Sequence, residues 1–122
     1  MNSTTEQFLS AAVEQQLAGN TDEASRLYNR VLATNPNNVT ALVNQSVIFI
    51  DHQNYTHAKS LLEHAIKIAP KDAEALNNYG NVLKELGEPN NSIAQFQLAH
   101  KITPDNSIIS CNLGRALLRK GD

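Results

Sequence analysis

The prolines of this chain recur at a fixed interval, and this interval constrains the fold more than any other feature. Pro36, Pro70 and Pro104 are successively 34 residues apart, and most other landmarks of the sequence fall into phase with them. Self-similarity at such a period is typical of solenoids, in which each repeat is one helical hairpin that contacts only its neighbours. The periodicity therefore predicts an all-α chain.

We end each repeat two residues after its proline, which leaves a half repeat at the end of the sequence. The expected single domain, 1–122, comprises the repeats 5–38, 39–72 and 73–106 and the half repeat 107–122. Apolar residues at helical spacing, together with the proline stops, predict two helices in each full repeat and one in the half repeat. These helices are expected at 4–18, 22–34, 39–52, 56–68, 73–86, 90–102 and 107–120.

Small residues recur inside the predicted helices. The eighth position of the repeat holds Ala12, Ser46, Gly80 and Gly114. In the second helix of each hairpin, the small Ala24, Ala58 and Ser92 are followed four residues later by the larger Tyr28, Leu62 and Phe96. A small residue that recurs inside a helix indicates that another helix crosses closely there. The large side chains are expected to fill the space between the points of crossing.

Glycines at the fifteenth position of the repeat predict turns. A left-handed residue at this position would end the first helix of a hairpin. The glycines concerned are Gly19, Gly87 and Gly121. Gln53 stands at the same position of the second repeat and has to make the turn with a less suitable side chain.

Capping residues agree with the same frame. Ser3 and Glu6 form a capping-box pattern at the start of the first helix. Asp72 and Asn106 precede the first helices of the third repeat and of the half repeat. Pro89 is expected in the first turn of its helix, where proline is tolerated.

These features resemble the tetratricopeptide repeat, and the stretch 75–87 is similar to units of the O-GlcNAc transferase branch and of bacterial multi-domain proteins. The resemblance covers nearly the whole chain. It implies a right-handed α-α superhelix of three helical hairpins plus one C-terminal helix. The sequence departs from the family pattern at Gln15, Gln45 and Ser110, where the family prefers large apolar residues.

The resemblance also implies a binding surface, because the first helices of such hairpins line a concave groove. Its N-terminal part is expected to be apolar, its middle rich in amides and its C-terminal end cationic. The groove residues are expected to be Leu9, Val13, Val43 and Val47, then Asn77, Asn78 and Asn81, then Lys84, Arg115 and Arg119.

Asparagines recur at the sixth position of the repeat, as Asn44, Asn78 and Asn112. An asparagine side chain both donates and accepts hydrogen bonds, so a row of them can pair with the backbone of an extended peptide. The resemblance to the O-GlcNAc transferase branch implies this role, whereas an asparagine-rich chain also places asparagines on solvated helix faces by chance. The carboxylate clamp of chaperone-binding repeats is disfavoured, since Leu9 and Val13 stand where it needs lysine and asparagine.

Composition argues against other partners and against catalysis. The formal charge is -2 and the pI is near 6.0, so no basic stripe is available for nucleic acid. No run of about 18 apolar residues, basic amphipathic segment or secretory signal occurs, which predicts a cytoplasmic chain without a membrane partner. No nucleophile elbow, phosphate loop or dinucleotide fingerprint occurs, so we expect neither an enzyme nor a cofactor.

The metal-ligating residue types are scattered along the sequence. The four histidines are His52, His57, His64 and His100, and the single cysteine is Cys111. His57 and His64 are separated by about two helical turns, which places them over 10 Å apart on an ideal helix. We therefore expect no metal site and interpret Cys111 as a structural thiol rather than a reactive one.

The sequence predicts a non-catalytic protein–protein interaction module that binds an extended peptide or a partner helix. Leu113, Ala116 and Leu117 of the last helix lie on the face that a following helix would cover. We expect either that the chain is part of a longer protein or that helix 107–120 docks on another subunit, for example in a homodimer; an uncovered edge is the third alternative. In the longer protein, this region would recruit substrates to an enzyme, such as a glycosyltransferase or a methyltransferase.

Overall fold

The computed structural model describes residues 3–121, and the described residues form seven α-helices and no strand. This confirms the all-α prediction. The helices are α1 (Ser3–Leu17), α2 (Thr21–Thr34), α3 (Val39–Asp51), α4 (Tyr55–Ile68), α5 (Ala73–Glu85), α6 (Pro89–Ile102) and α7 (Ser107–Gly121). The first helices of the hairpins are α1, α3, α5 and α7, and the second helices are α2, α4 and α6.

Local capping chemistry sets the helix ends, and every predicted end lies within one residue of the observed one. The side chains of Asp72 and Asn106 accept hydrogen bonds from the backbone N–H groups of Ala75 and Ile109, at 3.0 and 3.1 Å. These contacts satisfy donors that the first turn of a helix leaves unpaired. Pro89 occupies the first turn of α6 as expected. The Ser3 side chain of the predicted capping box lies outside the described residues.

The turns between the two helices of each hairpin use left-handed backbone. Gly19 and Gly87 have φ angles of 87° and 81°, and Gln53 has a φ angle of 62°. Gln53 therefore makes the predicted turn in a conformation that is costly for a residue with a side chain. Gly121 departs from the prediction because α7 continues through it, and the described residues include no returning helix that would hold a left-handed turn there.

Small and large residues interlock where helices cross. The ring of Phe96 lies so close to Gly80 that an added β-carbon would be 2.6 Å from it. The Ser92 hydroxyl donates a hydrogen bond to the Gly80 carbonyl oxygen at 2.7 Å. Tyr28 and Leu62, at the position of Phe96, are fully buried as well. The predicted close crossing is thus confirmed in the third repeat.

The departure from the family pattern at Gln45 is accommodated in the core. The side chain of Gln45 is buried, and its Nε2 donates to the Asn29 Oδ1 at 2.9 Å and to the Ser25 carbonyl at 3.4 Å. Its Oε1 has no hydrogen-bond partner among the described residues. A buried acceptor without a partner costs free energy, so this side chain weakens the interface between the first two repeats.

None of the described helices is both long enough and apolar enough to cross a membrane.

Candidate functional site

The amides of the first helices are the most regular polar feature of the molecule. Asn112 on α7 donates a hydrogen bond from its Nδ2 to the Oδ1 of Asn77 on α5, at 3.0 Å. The Oδ1 of Asn112 lies 3.5 Å from an Nη2 of Arg115. Amides from neighbouring repeats are therefore in direct contact, and α5 and α7 are joined through them. The sequence frame predicted both asparagines but not their pairing.

Asn78 lies next to this pair and is half-buried. Together with Asn77 and Glu74 it lines a depression that also includes Ile108 and Ile109 at the start of α7. The Asn78 side chain makes no hydrogen bond to any residue between 3 and 121. Its carbonyl and amino groups are therefore free to bind a ligand. Asn81, one turn further along α5, is half-buried too.

Asn44 is the asparagine of α3, and it is half-buried beside Tyr28. Burial raises the pKa of the Tyr28 hydroxyl, and a hydrogen bond with the Asn44 side chain opposes this effect. The Tyr28 hydroxyl also donates to the Oε1 of Gln16. The Nε2 of Gln16 is 3.5 Å from the backbone carbonyl of Asn44.

Sequence reasoning did not assign a role to Gln16. Its position in the repeat, the twelfth, is the position of Lys84 in the third repeat and was expected to face the groove. This shared position is the signal that could have identified Gln16 as part of the site.

The apolar residues of the expected groove separate into two groups. Leu9, Val13 and Val47 are half-buried and keep part of their surface accessible. Val43 is only 3% exposed and belongs to a core cluster with Leu42. The expectation that Val43 accepts a ligand side chain is therefore wrong. The physical reason is that this valine packs inward between repeats, where no ligand can reach it.

The cationic end of the site is brought together by the fold. Lys84, Arg115 and Arg119 line one shallow pocket with Phe96, Asn112 and Ala116. Arg115 is exposed, and its Nη2 lies 3.2 Å from the Sγ of Cys111 one turn earlier. Cys111 is a free and exposed thiol, so the structure does not support its interpretation as a buried or half-buried structural thiol. An anionic group in this pocket would be attracted by the three cations.

The histidines make contacts of their own, and none of the contacts recorded for them involves one of the expected groove residues. Nδ1 of His52 lies 2.8 Å from the Ile48 carbonyl, and His64 Nε2 lies 2.9 Å from the Asn37 side chain. His57 stacks on Phe49, with ring centroids 5.1 Å apart. Within residues 3–121, no group of three or more histidine, cysteine, aspartate or glutamate side chains could hold a metal ion.

Comparisons with known proteins point to one fold. The sequence matches the family model of the coatomer epsilon subunit over residues 2–112. It is 28% identical over 102 residues to tetratricopeptide repeat protein 1 of Schizosaccharomyces pombe, a match that covers 81% of this chain and 10% of that protein. The chain thus spans about a tenth of the length of this curated relative.

Two solved structures illustrate the similarity. An O-GlcNAc transferase mutant of Thermobaculum terrenum superposes with a TM-score of 0.92 at 30% identity, over 98% of this chain and 23% of that one. The first tetratricopeptide repeat domain of Spaghetti, bound to an HSP90 peptide, superposes with a TM-score of 0.91 at 14% identity. That match covers 97% of this chain and 94% of the other. The tetratricopeptide architecture expected from the sequence is confirmed.

Proposed function

Because this chain belongs to the coatomer epsilon subunit family and has the tetratricopeptide fold of protein-interaction modules, we propose that it binds an extended peptide along its first helices. In this proposal α1, α3, α5 and α7 line the groove, and the chain itself is not catalytic. The ligand is a segment of a protein partner.

The observation that carries the proposal is the asparagine series. Asn44, Asn78 and Asn112 stand at one position of three successive first helices, and all three are half-buried. Packed helices are about 8–10 Å apart, and an extended chain advances about 3.3 Å per residue. One asparagine therefore meets about every third residue of a bound peptide. Such spacing suits backbone recognition, because the peptide side chains between the contacts remain unconstrained.

The remaining site residues would determine which side chains the groove prefers along the peptide. Leu9, Val13 and Val47 offer partly exposed apolar surface towards the N-terminal end. Asn77 and Asn81 add amides in the middle. Lys84, Arg115 and Arg119 favour an acidic residue at the other end of the ligand.

The same residues distinguish this site from a carboxylate clamp. The Spaghetti domain is solved with an HSP90 peptide, and its likeness to this chain at 14% identity concerns the fold. In this chain the apolar Leu9 and Val13 occupy places where a clamp needs a cation and an amide. We therefore propose recognition through peptide backbone rather than through a terminal carboxylate.

A random peptide library displayed on phage tests the proposal. Peptides selected on the 122-residue protein are measured against a triple variant, Asn44→Ala, Asn78→Ala and Asn112→Ala. Loss of about one net hydrogen bond per asparagine, roughly 1 kcal/mol each, predicts a fall in affinity of about two orders of magnitude. Circular dichroism establishes that the variant keeps its helical content.

A matched control replaces three exposed asparagines outside the first helices, Asn37, Asn90 and Asn91, by alanine. This control should bind the selected peptides as the wild type does. Equal affinities of the wild type and the Asn44, Asn78 and Asn112 variant would refute backbone recognition by the asparagines.

A second candidate function is substrate recruitment within a larger enzyme. The observation in its favour is the 30% identity to part of the Thermobaculum terrenum O-GlcNAc transferase mutant, of which this chain covers 23%. Reading the gene on both sides of the present sequence tests this candidate. A glycosyltransferase or methyltransferase domain in the same reading frame would support it, and flanking stop codons would exclude it.

A further inference from the structure

The first repeat contains a buried polar contact for which the next two repeats have no equivalent. Tyr28 on α2 is fully buried, and its hydroxyl donates a hydrogen bond to the Oε1 of Gln16 on α1. Leu62 and Phe96 stand at the position of Tyr28 in the next two repeats and are buried as well, so packing at this position does not require a hydroxyl. A buried hydroxyl costs free energy unless it is hydrogen-bonded, and Gln16 supplies the bond.

This contact fixes the orientation of the Gln16 carboxamide. Burial raises the pKa of the Tyr28 hydroxyl, and the Asn44 side chain acts in the opposite direction, as a donor to the hydroxyl oxygen does. The phenolic proton is thus left for Gln16, which has to present its oxygen and not its amino group. The Nε2 of Gln16 lies instead 3.5 Å from the backbone carbonyl oxygen of Asn44.

The amino group of Gln16 retains hydrogen-bonding capacity. It has two N–H groups, and 3.5 Å is a long distance between donor and acceptor. At least one of the two N–H groups therefore has no partner within residues 3–121. Gln16 is half-buried and stands at the twelfth position of its repeat, as Lys84 does in the third repeat. Lys84 lines a shallow pocket together with Asn112, so this position is accessible on the side of the molecule where the asparagines lie.

The asparagine series itself does not extend into the first repeat. Ser10 stands at the sixth position there, where the following repeats have Asn44, Asn78 and Asn112. Gln16 lies six residues after Ser10 on α1, and its amino group contacts the first member of the series. The first repeat therefore places an amide beside Asn44 after all, although from another position of the repeat.

We propose that Gln16 is a fourth peptide-binding amide, which donates from its Nε2 to a backbone carbonyl of the ligand, and that Tyr28 is the positioning residue that restricts Gln16 to donating. This inference rests on the peptide binding proposed above. An asparagine that can both donate and accept fits a peptide backbone in more than one register. Gln16 requires a carbonyl oxygen at one place, and it thereby sets the register of the peptide next to Asn44.

A thioamide scan of a bound peptide tests for this hydrogen bond. The probe is a peptide selected on the 122-residue protein from the phage library, and its backbone carbonyl oxygens are replaced by sulfur one at a time. Sulfur is the weaker acceptor. We expect one replacement that lowers the affinity of the wild type by up to about fivefold and has no effect on the affinity of Gln16→Ala. Isothermal titration calorimetry measures the affinities.

Protein variants test the donor directly. Gln16→Ala should bind the unmodified peptide about fivefold more weakly than the wild type. Gln15→Ala is the matched control and should leave the affinity unchanged, because this neighbouring glutamine bonds to Asn20 instead. Gln16→Glu keeps an oxygen for the Tyr28 hydroxyl but removes the donor, so it should lose at least as much affinity as Gln16→Ala. Circular dichroism establishes that each variant keeps its helical content.

Tyr28→Phe tests the positioning role, because it keeps the ring in the core and removes only the hydroxyl. The Gln16 carboxamide can then rotate, and ordering it again on binding should lower the affinity about threefold. A change in packing alone would weaken binding equally with and without Gln16. We therefore expect a smaller loss when Tyr28→Phe is introduced into Gln16→Ala than into the wild type. Equal losses in the two backgrounds would overturn the role of Tyr28.

The role of Gln16 is overturned if Gln16→Ala binds the selected peptide as the wild type does, or if no effect of a thioamide depends on Gln16. The triple variant of Asn44, Asn78 and Asn112 separates this result from a failure of the proposed function. If the triple variant binds weakly and Gln16→Ala binds normally, only the inference about Gln16 fails. If the triple variant binds as the wild type does, or if the library yields no peptide, the proposed function fails and this inference fails with it.

Discussion

Gly80 and Gly114 occupy the same position in successive repeats, yet their surroundings are opposite. An added β-carbon at Gly80 would collide with the Phe96 ring, whereas at Gly114 it would meet open space. We expect Gly80→Ala to lower the free energy of unfolding by about 1–3 kcal/mol, because overpacking shifts the ring or the helix. Gly114→Ala should raise it by up to about 1 kcal/mol through helix propensity.

Urea denaturation of the two variants beside the wild type measures this difference. The chemical change is identical, so helix propensity contributes equally to both variants and the difference reports packing. Changes of the same sign and size in the two variants would contradict the packing described for Gly80.

Gln45 is a second residue whose side chain lowers the stability of the fold. Its buried Oε1 has no partner among residues 3–121, and its Nε2 bonds the side chain of the exposed Asn29. Gln45→Met keeps the unbranched shape and removes the unpaired acceptor, so we expect the free energy of unfolding to rise by about 1 kcal/mol. Thermal unfolding measures the change. The control is Gln15→Met at a half-exposed site, where we expect a change within about 0.5 kcal/mol.

At the scale of elements, the helix N-caps should have unequal effects. Asp72 caps the central helix α5. Asn106 caps α7, which among residues 3–121 packs mainly against α6. Removing either cap with alanine costs about 1 kcal/mol in the helix concerned. Asp72→Ala should lower global stability, while Asn106→Ala should mainly open α7 locally.

Native-state hydrogen exchange separates the two effects. In Asn106→Ala, faster exchange should be confined to α7, with the amides of α3 and α5 unchanged. Equal acceleration throughout the chain would show that α7 unfolds only together with the other helices.

Tyr79 couples α5 to α4 in a pH-dependent way. Its hydroxyl donates to the Glu63 Oε2 at 2.8 Å, and burial, followed by this hydrogen bond and by the charges of Glu63 and Glu88, raises the pKa of Tyr79 from 10.0 to about 12. The folded state therefore favours the neutral phenol. The contribution of the raised Tyr79 pKa to the free energy of unfolding is complete below pH 10 and is lost as the pH rises towards about 12.

Tyr79→Phe tests this contribution. The variant cannot ionise at this position, so its stability should fall less steeply than that of the wild type between pH 10 and about 12. Urea denaturation at several alkaline pH values measures both slopes. If stability fell equally steeply with pH in the wild type and the variant, the pKa of Tyr79 would not differ between the folded and unfolded states.

The elements that the sequence predicts well are those whose causes are local. Helix ends follow from caps such as Asp72 and from the prolines, which act within one turn of chain. The burial of Val43 and the bond between Asn77 and Asn112 depend on how one repeat is rotated against the next. The position of a residue within its repeat does not specify that rotation. The sequence therefore assigned Val43 wrongly to the groove and did not predict the Asn77–Asn112 hydrogen bond.

At the scale of the whole molecule, the two ends of the helix stack have different chemistry. On α1, the positions that pack inward in later repeats hold Gln7 and Glu14, both exposed, where α3 has the buried Ala41 and Ile48. Terminal repeats of solenoids need such a polar outer face. On α7, Leu117 is instead 46% exposed at the position where α5 has the buried Leu83. The two end faces of the described helix stack therefore differ in polarity.

We propose that the first helices bind an extended peptide through Asn44, Asn78 and Asn112. NMR titration of isotope-labelled protein with a library-selected peptide tests it most directly, because side-chain amides are observed individually. We expect the largest shift changes at these three amides and along α3, α5 and α7. Changes confined to α2, α4 and α6, with the three amides unmoved, would contradict it.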